Sequence, residues 1–232
     1  MLMVLDPNDR HQPFPDVSEA LAEPNGLLAV GGCLSPGRLE IAYRSGIFPW
    51  FGHGEPILWW SPDPRMVLVP DEFRISRSLR KTLRKTPFTF SYDRQFEAVL
   101  TACAGPRKAV DGTWITEGMM SAYVALHRLG KAHSFEVCLD GQLVGGLYGV
   151  AIGQVFYGES MFHRVTDASK AAMAFAVEKL RAWGVGLIDC QMHTDHLSSL
   201  GARPIRRGEF IDLLGHLCQQ PTSVDAWAQE GR

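Results

Sequence analysis

Residues 145–170 of the chain read GGLYGVAIGQVFYGESMFHRVTDASK, and this stretch decides how the rest of the sequence is interpreted. It begins as a glycine-rich apolar strand, turns near Gly153 and returns as a second apolar strand over 155–157. The sequence then becomes polar at Glu159, and a helix is predicted from about Ala168. Glycines inside a strand often mark a place where another group packs against bare backbone. An apolar floor with one carboxylate favours a site for a ligand with a polar group, and a bulged hairpin of the core is the alternative.

Composition limits the class of protein. The 232 residues suit one large or two small domains, and 46% hydrophobic with 21% charged residues is ordinary for a soluble protein. The apolar runs are too short to span a membrane, and the first residues lack the pattern of a signal peptide. A formal net charge of −2 means that any nucleic-acid contact must come from a local patch. Scattered cysteines predict a reducing, cytoplasmic location; they occupy positions 33, 103, 138, 190 and 218.

Hydrophobic periodicity and turn residues predict an α+β fold. Helices are predicted over 35–46, 76–86, 92–104, 117–129, 168–183 and 207–218, with a short helical turn after Asp195. Strands are predicted over 66–69, 134–139, 142–150, 154–158 and 185–188. The tail after Pro221 is expected to be loose. A boundary near 62–72 divides the chain into a small N-terminal α/β domain over 1–65 and a larger domain over 66–232.

Two features outside the glycine-rich stretch point towards nucleic acid. In the predicted helix over 76–86, Leu79 and Leu83 share one face, and the opposite side carries only positive charge: Arg77, Arg80, Lys81, Arg84 and Lys85. Exposed helix faces usually mix the two signs, because like charges one turn apart repel each other. The helix is therefore a candidate phosphate-binding surface, with a solvated face as the alternative. Three tryptophans fall within residues 50–60, where a rigid aromatic loop forms either a stacking platform or a corner of the core.

The last predicted strand runs directly into a second polar group. Strand alternation predicts that Asp189 and Gln191 point the same way, so that a carboxylate and an amide lie side by side at the strand end. The alternative is an acid that caps the next turn. Metal-ligand residues also occur here without the second pair that a structural zinc site needs, so we predict no metal: Cys190, His193 and His196.

The order of elements from 133 to 190 is a three-stranded meander, a helix and a further strand, which is the pattern of GNAT acyltransferases. In coenzyme A-dependent enzymes of that fold, the loop before the helix carries glycines whose backbone amides bind the pyrophosphate. Residues 164–169 of this chain read RVTDAS, with neither glycine and with Asp167, whose charge would repel a pyrophosphate. Coenzyme A is therefore not expected as the acyl donor.

Eight motifs together resemble one family. They are EPNGLLAVGG (23–32), GIFPWF (46–51), PILWWSPDPR (56–65), GTWIT (112–116), GGLYGV (145–150), GESMF (158–162), ASK (168–170) and LIDCQ (187–191). In order and spacing, this set resembles the leucyl/phenylalanyl-tRNA–protein transferase family. The resemblance implies a GNAT-like domain with a mostly antiparallel sheet flanked by helices, preceded by the small N-terminal domain. It also implies transfer of leucine or phenylalanine, and of methionine, from aminoacyl-tRNA to the α-amine of proteins that begin with Arg or Lys, which marks them for N-degron proteolysis.

The resemblance further implies roles for single residues. Trp50 and Trp114 match positions that stack on the terminal adenosine of tRNA, and Tyr123 matches a further position of the site. Glu159 is expected to be a polar anchor in the donor site. The pocket for the aminoacyl side chain is expected at three apolar positions: Leu147, Met173 and Ile188. The surface for the acceptor stem is expected at four basic positions: Arg77, Lys81, Arg84 and Lys85.

Asp189 and Gln191 are the catalytic residues that the resemblance implies. The donor ester is already activated, so its aminolysis depends mainly on the placement of a neutral amine. A carboxamide is a very weak base; we therefore expect Gln191 to orient the amine and Asp189 to hold the acceptor's ammonium group. We expect no cofactor, no membrane contact and a monomer. A coenzyme A-dependent N-acetyltransferase and a non-catalytic tRNA-binding module are the alternative functions.

Overall fold

The computed structural model describes residues 2–105 and 115–228, and it contains both helices and strands. The helices are α1 (Pro36–Arg44), α2 (Arg77–Lys85), α3 (Phe96–Ala104), α4 (Glu117–Arg128), α5 (Ala168–Ala182), α6 (Asp195–Ser199) and α7 (Arg207–Leu217). The strands are β1 (Met3–Leu5), β2 (Leu27–Gly31), β3 (Phe48–Pro49), β4 (Leu58–Trp60), β5 (Arg65–Leu68), β6 (Thr89–Tyr92), β7 (Ala132–Leu139), β8 (Gln142–Ile152), β9 (Val155–His163), β10 (Leu187–Gln191) and β11 (Arg203–Ile205). Short 3₁₀ turns lie at Val17–Glu19 and Pro70–Glu72.

The strands form two sheets. The smaller sheet has the order β1-β2-β4-β3, and the larger one has the order β11-β5-β10-β9-β8-β7-β6. In the larger sheet the described pairs are antiparallel except for β9 and β10, which run parallel. A parallel pair needs a crossover connection, and α5 supplies it. The meander of β7, β8 and β9 followed by α5 and β10 has the element order expected of a GNAT acyltransferase.

Helices cover both faces of the larger sheet. Gly145 and Gly146 are neighbours in β8 and point to opposite faces. A Cβ at Gly145 would lie 2.6 Å from the Cβ of Ala168 in α5, and a Cβ at Gly146 would lie 3.2 Å from Val99 in α3. The first distance is shorter than an ordinary contact of a Cβ allows and the second is tighter than most such contacts, which confirms that these glycines mark close packing. The α3 and α4 face shares its apolar core with the smaller sheet, through buried residues such as Trp59.

The fold-class prediction is confirmed, but several predicted bounds are wrong. Tyr92 does not begin a helix; residues 89–92 form β6, which pairs with β7, and the helix begins at Phe96 after Asp93 has turned the chain with a φ of 53°. The predicted strand over 154–158 extends to His163, because its polar residues pair with β8. Strands β1 to β4 and β11 were not predicted. The chain passes from the smaller to the larger sheet between Trp60 and Arg65, and the domain division at residue 65 stays a prediction.

The C-terminal tail is not loose over its described part. The indole ring of Trp227 stacks on His133 with ring centroids 3.6 Å apart, and lies 4.6 Å from the ring of Trp183. The hydroxyl group of Tyr92 donates a hydrogen bond to the carbonyl of Ala228. The described part of the tail is therefore held against the larger sheet by the ring contacts of Trp227 and by the hydrogen bond from Tyr92. No helix within the described ranges is long and apolar enough to cross a membrane.

Candidate active site

A pocket opens where β9 and β10 separate. The two strands pair from Val155 and Leu187 up to Tyr157 and Asp189, and beyond this point β9 continues towards Glu159 without β10, paired only with β8. The cavity between them has a volume of about 340 Å³. Its walls are mainly apolar, and side chains from β8, β9, α5, β10 and α6 contribute to them: Leu147, Phe156, Met161, Met173, Ala176, Leu180, Ile188 and Leu197. This size and lining are typical of a site for a small ligand.

The structure brings five of the predicted site residues together in this pocket. Leu147, Met173 and Ile188 line its apolar part, and Glu159 and Gln191 supply polar groups at its wall. Leu147 comes from β8, Met173 from the face of α5 that packs on the sheet, and Ile188 from β10. Within the described residues that line the pocket, Glu159 is the only carboxylate. An apolar cavity with one acid is what the sequence around residue 159 predicts.

Glu159 accepts hydrogen bonds from three side chains. The hydroxyl groups of Tyr43 and Tyr123 donate to its Oε1 and Oε2 atoms at 2.8 and 2.7 Å, and Nε2 of Gln191 donates to Oε1 at 3.0 Å. Burial raises the pKa of Glu159 to about 7, although the hydrogen bonds from Tyr123 and Tyr43 act in the opposite direction. Burial and the nearby carboxylate also raise the pKa of both tyrosines, which therefore remain protonated donors. At neutral pH this carboxyl group can both hold and release a proton.

Asp189 lies behind the pocket wall instead of facing the pocket. Its side chain is 0% exposed, and its two oxygens accept hydrogen bonds from Nε and Nη2 of Arg65 at 2.8 and 2.7 Å. The Arg65 guanidinium group lies between the rings of Phe48 and Phe210, at 4.7 and 4.6 Å from their centroids. The expectation that Asp189 directly holds an acceptor's ammonium group does not fit this geometry, because a cation already occupies both oxygens.

The backbone between Asp189 and Gln191 explains why their side chains do not share a face. The pairing of β10 with β5 has an irregularity between these residues, and Gln191 has a φ of 61°, in the left-handed region. Strand alternation therefore fails here. The backbone N–H of Gln191 donates to Oδ1 of Asp189 at 2.9 Å, which fixes the irregular backbone and directs the Gln191 amide towards Glu159. The catalytic roles of both residues stay predictions, but the geometry makes Asp189 a support for Gln191.

The predicted stacking residues are only partly described. Trp50 is 40% exposed, and its ring meets that of Trp60 edge-on, with centroids 5.7 Å apart. Nε1 of Trp60 donates to the Trp50 carbonyl at 2.7 Å and so fixes the loop. An exposed, held indole is compatible with stacking, which stays a prediction. Trp114 lies outside the described residues. Tyr123 is fully buried and reaches the pocket only through its hydrogen bond to Glu159.

The basic surface predicted from the sequence lies on α2. Leu79 is buried and Leu83 is half-buried against the core of α5. The basic side chains of this helix form no ion pair with a carboxylate in the described part of the chain: Arg77, Arg80, Lys81, Arg84 and Lys85. The positive charge is therefore available to a polyanion, and tRNA binding stays a prediction. Across residues 2–105 and 115–228 there is no cluster of three His, Cys, Asp or Glu residues suited to a metal ion.

Sequence reasoning missed two residues of this site. Tyr43 was not predicted as a site residue, although a buried tyrosine usually needs a partner for its hydroxyl group, and this is the signal that was available. Arg65 closes a motif at the start of β5, and nothing local to it indicates that its partner is Asp189, 124 residues further along the chain. Both residues act through others: Tyr43 through Glu159, and Arg65 through Asp189.

Comparison with known proteins gives consistent matches. The family model described as leucyl/phenylalanyl-tRNA protein transferase matches residues 67–215, and the model of its N-terminal domain matches residues 32–63. The chain is 63% identical to the leucyl/phenylalanyl-tRNA–protein transferase of Methylococcus capsulatus, over 98% of this chain and 97% of the relative. It is 59% identical to the leucyl/phenylalanyl-tRNA–protein transferase of Chromohalobacter salexigens, over 92% of this chain and 84% of the relative.

Matches among solved structures are more distant. FemX shares 12% identity, with 76% of this chain and 70% of that chain covered and a TM-score of 0.46. A GCN5-related N-acetyltransferase from Kribbella flavida shares 16% identity, with 73% and 60% covered and a TM-score of 0.39.

Proposed function

Because the chain belongs to the leucyl/phenylalanyl-tRNA protein transferase family and is an aminoacyltransferase, we propose that it extends proteins that begin with Arg or Lys. It takes leucine, phenylalanine or methionine from aminoacyl-tRNA and forms a peptide bond to the acceptor's α-amino group. The product then carries an N-terminal residue that directs it to proteolysis. The observation that carries this proposal is the apolar pocket with Glu159 and Gln191 at its wall.

The pocket suits the donor's side chain. Leucine, phenylalanine and methionine are apolar, and burial of such side chains contributes roughly 1.5–3 kcal/mol each. The walls are formed by Leu147, Met173 and Ile188, and Met161 adds an adaptable side chain. In this orientation the ester carbonyl of the donor lies near Glu159 and Gln191. An exposed indole at Trp50 is available to the adenosine.

Each peptide bond formed requires the transfer of one proton from the acceptor's nitrogen to the ribose oxygen of the donor. The acceptor's α-amine attacks the ester carbonyl, a C–N bond forms, and the C–O bond to the ribose breaks. The nitrogen loses a proton, and the ribose oxygen gains one. A free α-amino group has a pKa of about 7.7–8.0, so part of it is neutral near pH 7 and able to attack. A general base is most effective when its own pKa lies near the pH at which it works. Glu159, with its pKa raised to about 7, is therefore the group that accepts this proton.

The other polar residues support that step. Gln191 donates to Glu159 and orients the incoming amine, because a carboxamide cannot hold the proton itself. Asp189 and Arg65 hold the backbone of Gln191 from behind. Glu159, first expected to anchor the donor's α-amine, thus becomes the proton acceptor, and the cation-holding role moves away from Asp189.

The tRNA body is bound through α2. Its unpaired basic side chains attract phosphates, and each phosphate contact releases counterions from the nucleic acid. Charged tRNA is a cytoplasmic substrate, and the five cysteines, all within the described ranges, form no disulfide. We therefore place the reaction in the cytoplasm. The alternative of a coenzyme A-dependent enzyme is disfavoured by Asp167, which precedes α5 where a pyrophosphate would bind.

A transfer assay tests the proposal. The protein is incubated with leucyl-tRNA, acetyl-coenzyme A and two peptides that differ only in a free or an N-acetylated first Arg. We expect the mass of one leucine to be added to the free peptide alone. Acetylation of the peptide, or tRNA binding without transfer, would contradict the proposal.

A further inference from the structure

Helix α5 is preceded by an aspartate in an unusual conformation. Asp167 has a φ of 63°, in the left-handed region that residues other than glycine adopt uncommonly. It occupies the N-cap position, where an aspartate normally accepts a hydrogen bond from a backbone N–H of the first helical turn. Asp167 makes no such bond. Its carboxylate therefore does not cap the backbone of the helix that it precedes.

The carboxylate is directed to the basic helix instead. Oγ1 of Thr82 in α2 donates to Oδ2 of Asp167 at 2.9 Å, and Nζ of Lys170 lies 3.1 Å from Oδ1. The hydrogen bonds from Lys170 and Thr82 lower the pKa of Asp167, so it is charged at neutral pH. Its side chain is 16% exposed, which limits competition from water. One carboxylate thus joins the middle of α2 to the first turn of α5.

Helix α2 has few other attachments. Leu79 is buried and Leu83 half-buried, and the five basic residues of this nine-residue helix repel one another across its surface. Two leucines fix which face of the helix is turned inwards, but apolar contacts are not directional. A charge-assisted hydrogen bond has a defined geometry. The Thr82–Asp167 bond is therefore suited to fix the position of α2 along α5.

We propose that Asp167, Thr82 and Lys170 form a clamp that sets the distance between the basic face of α2 and the aminoacyl pocket. The connection is short, because α5 also lines the pocket through Met173. Asp167 is a positioning residue: it contacts neither donor nor acceptor and acts on tRNA through α2. The inference rests on the proposed function, since it requires α2 to bind the tRNA body while the pocket holds the aminoacyl group.

The experiment compares two donors, leucyl-tRNA and leucyl-adenosine, which lacks the tRNA body. Thr82→Val keeps the shape and removes the hydroxyl group; we expect the KM for leucyl-tRNA to rise by about threefold or more and that for leucyl-adenosine to stay unchanged. Asp167→Asn is expected to raise the KM for leucyl-tRNA in the same way. The double variant, Thr82→Val with Asp167→Asn, is expected to have a KM no higher than that of Asp167→Asn alone, because both changes remove the same bond. Thr82→Ser keeps the hydroxyl group and is expected to restore the KM.

A matched control accounts for the general effect of replacing a threonine by a valine inside a helix. Oγ1 of Thr82 also lies 3.3 Å from its own helix at the Ser78 carbonyl, and Oγ1 of Thr101 in α3 bonds to the Glu97 carbonyl at 2.7 Å. Thr101→Val therefore removes only an intrahelical bond and is expected to leave both KM values unchanged. Equal effects of Thr82→Val on both donors, or no effect on either, would overturn the clamp. Failure of the proposed function is distinguishable, because then Arg84→Glu with Lys85→Glu would leave tRNA binding intact.

Discussion

Burial and hydrogen bonding shift the pKa of Glu159 in opposite directions. Burial prevails and raises its pKa from 4.5 to about 7, while Tyr123 and Tyr43 oppose the shift. Because the pKa of the folded state is the higher one, the protonated form stabilises the fold. This contribution is complete below about 4.5 and is lost as pH rises towards 7. The site thus keeps a destabilised carboxylate at the pH where the acceptor's amine is losing its own proton.

Removal of one hydrogen bond from Glu159 tests this account. Tyr43→Phe deletes a donor that lowers the pKa of Glu159, so the pKa is expected to rise further above 7. The midpoint of the transfer rate against pH is expected to shift upwards with it. The free energy of unfolding at neutral pH is expected to fall by about 1–3 kcal/mol, because the carboxylate loses a partner. Transfer kinetics and chemical denaturation measure the two effects.

Tyr157→Phe is the matched control for that change. Tyr157 is also a buried phenol, but its hydroxyl group lies 3.3 Å from Sγ of Cys218 and is not among the described groups that donate to Glu159. This variant is expected to keep the pH midpoint of the wild type. An equal shift in both variants would assign the pH dependence to general loosening of the core. Sequence alone could not predict the role of Tyr43, because its partner lies 116 residues away in another element.

At the scale of elements, β10 shows most clearly what sequence predicts and what it does not. The strand and its apolar residues follow from periodicity, and Ile188 lines the cavity, while its contact with an aminoacyl side chain stays a prediction. The irregular backbone at Gln191 does not follow, because the Arg65–Asp189 pair that holds it joins distant parts of the chain. Similarly, β9 was predicted too short, because Gly158, Glu159 and Ser160 interrupt the apolar pattern, yet the strand continues beside β8 to His163. Long-range pairing, and not local preference, decides both cases.

The buried pair makes a prediction about stability. Asp189→Asn leaves the Arg65 guanidinium group as an unpaired buried charge, and is expected to lower the free energy of unfolding by about 3–5 kcal/mol. Gln191→Ala is expected to reduce transfer without a comparable loss of stability. Asp212→Asn on the exposed side of α7 controls for the chemical change and is expected to alter stability by less than about 0.5 kcal/mol. Unfolding of Asp189→Asn at the wild-type denaturant midpoint would contradict the role of the pair.

At the scale of the whole molecule, the basic helix and the pocket both border one helix, α5. Thr82 of α2 bonds to Asp167 ahead of the first turn of α5, and Met173 further along lines the cavity. A donor with a large nucleic-acid body and a small reactive end can contact both at once. The charge pattern of α2 was readable from sequence, because five basic residues occur without an acid. The clamp could not be read from the sequence, where Asp167 was interpreted only as a charge that would repel a pyrophosphate.

Charge reversal on α2 tests the role of its basic surface. Arg84→Glu with Lys85→Glu is expected to weaken binding of leucyl-tRNA and to reduce the slope of log K against log salt by about 1–2, because up to two phosphate contacts are lost. Kinetics with leucyl-adenosine are expected to stay unchanged. Arg44→Glu with Arg128→Glu, outside α2, provides the charge-matched control. An equal loss of tRNA affinity in both pairs would show that net charge, and not this helix, determines binding.

The most direct test of the central claim is the single-turnover rate of leucine transfer to an Arg-initiated peptide, measured against pH for the wild type and Glu159→Gln. For the wild type we predict a rate that rises with pH through about 7, because Glu159 must lose its proton before it can accept another. Glu159→Gln is predicted to lose about 100-fold in rate above that pH and to lack the rise near 7, keeping only the rise that deprotonation of the acceptor's α-amine gives at about 7.7–8.0. A variant with wild-type rate and an unchanged pH profile would contradict the assignment of Glu159 as the proton acceptor.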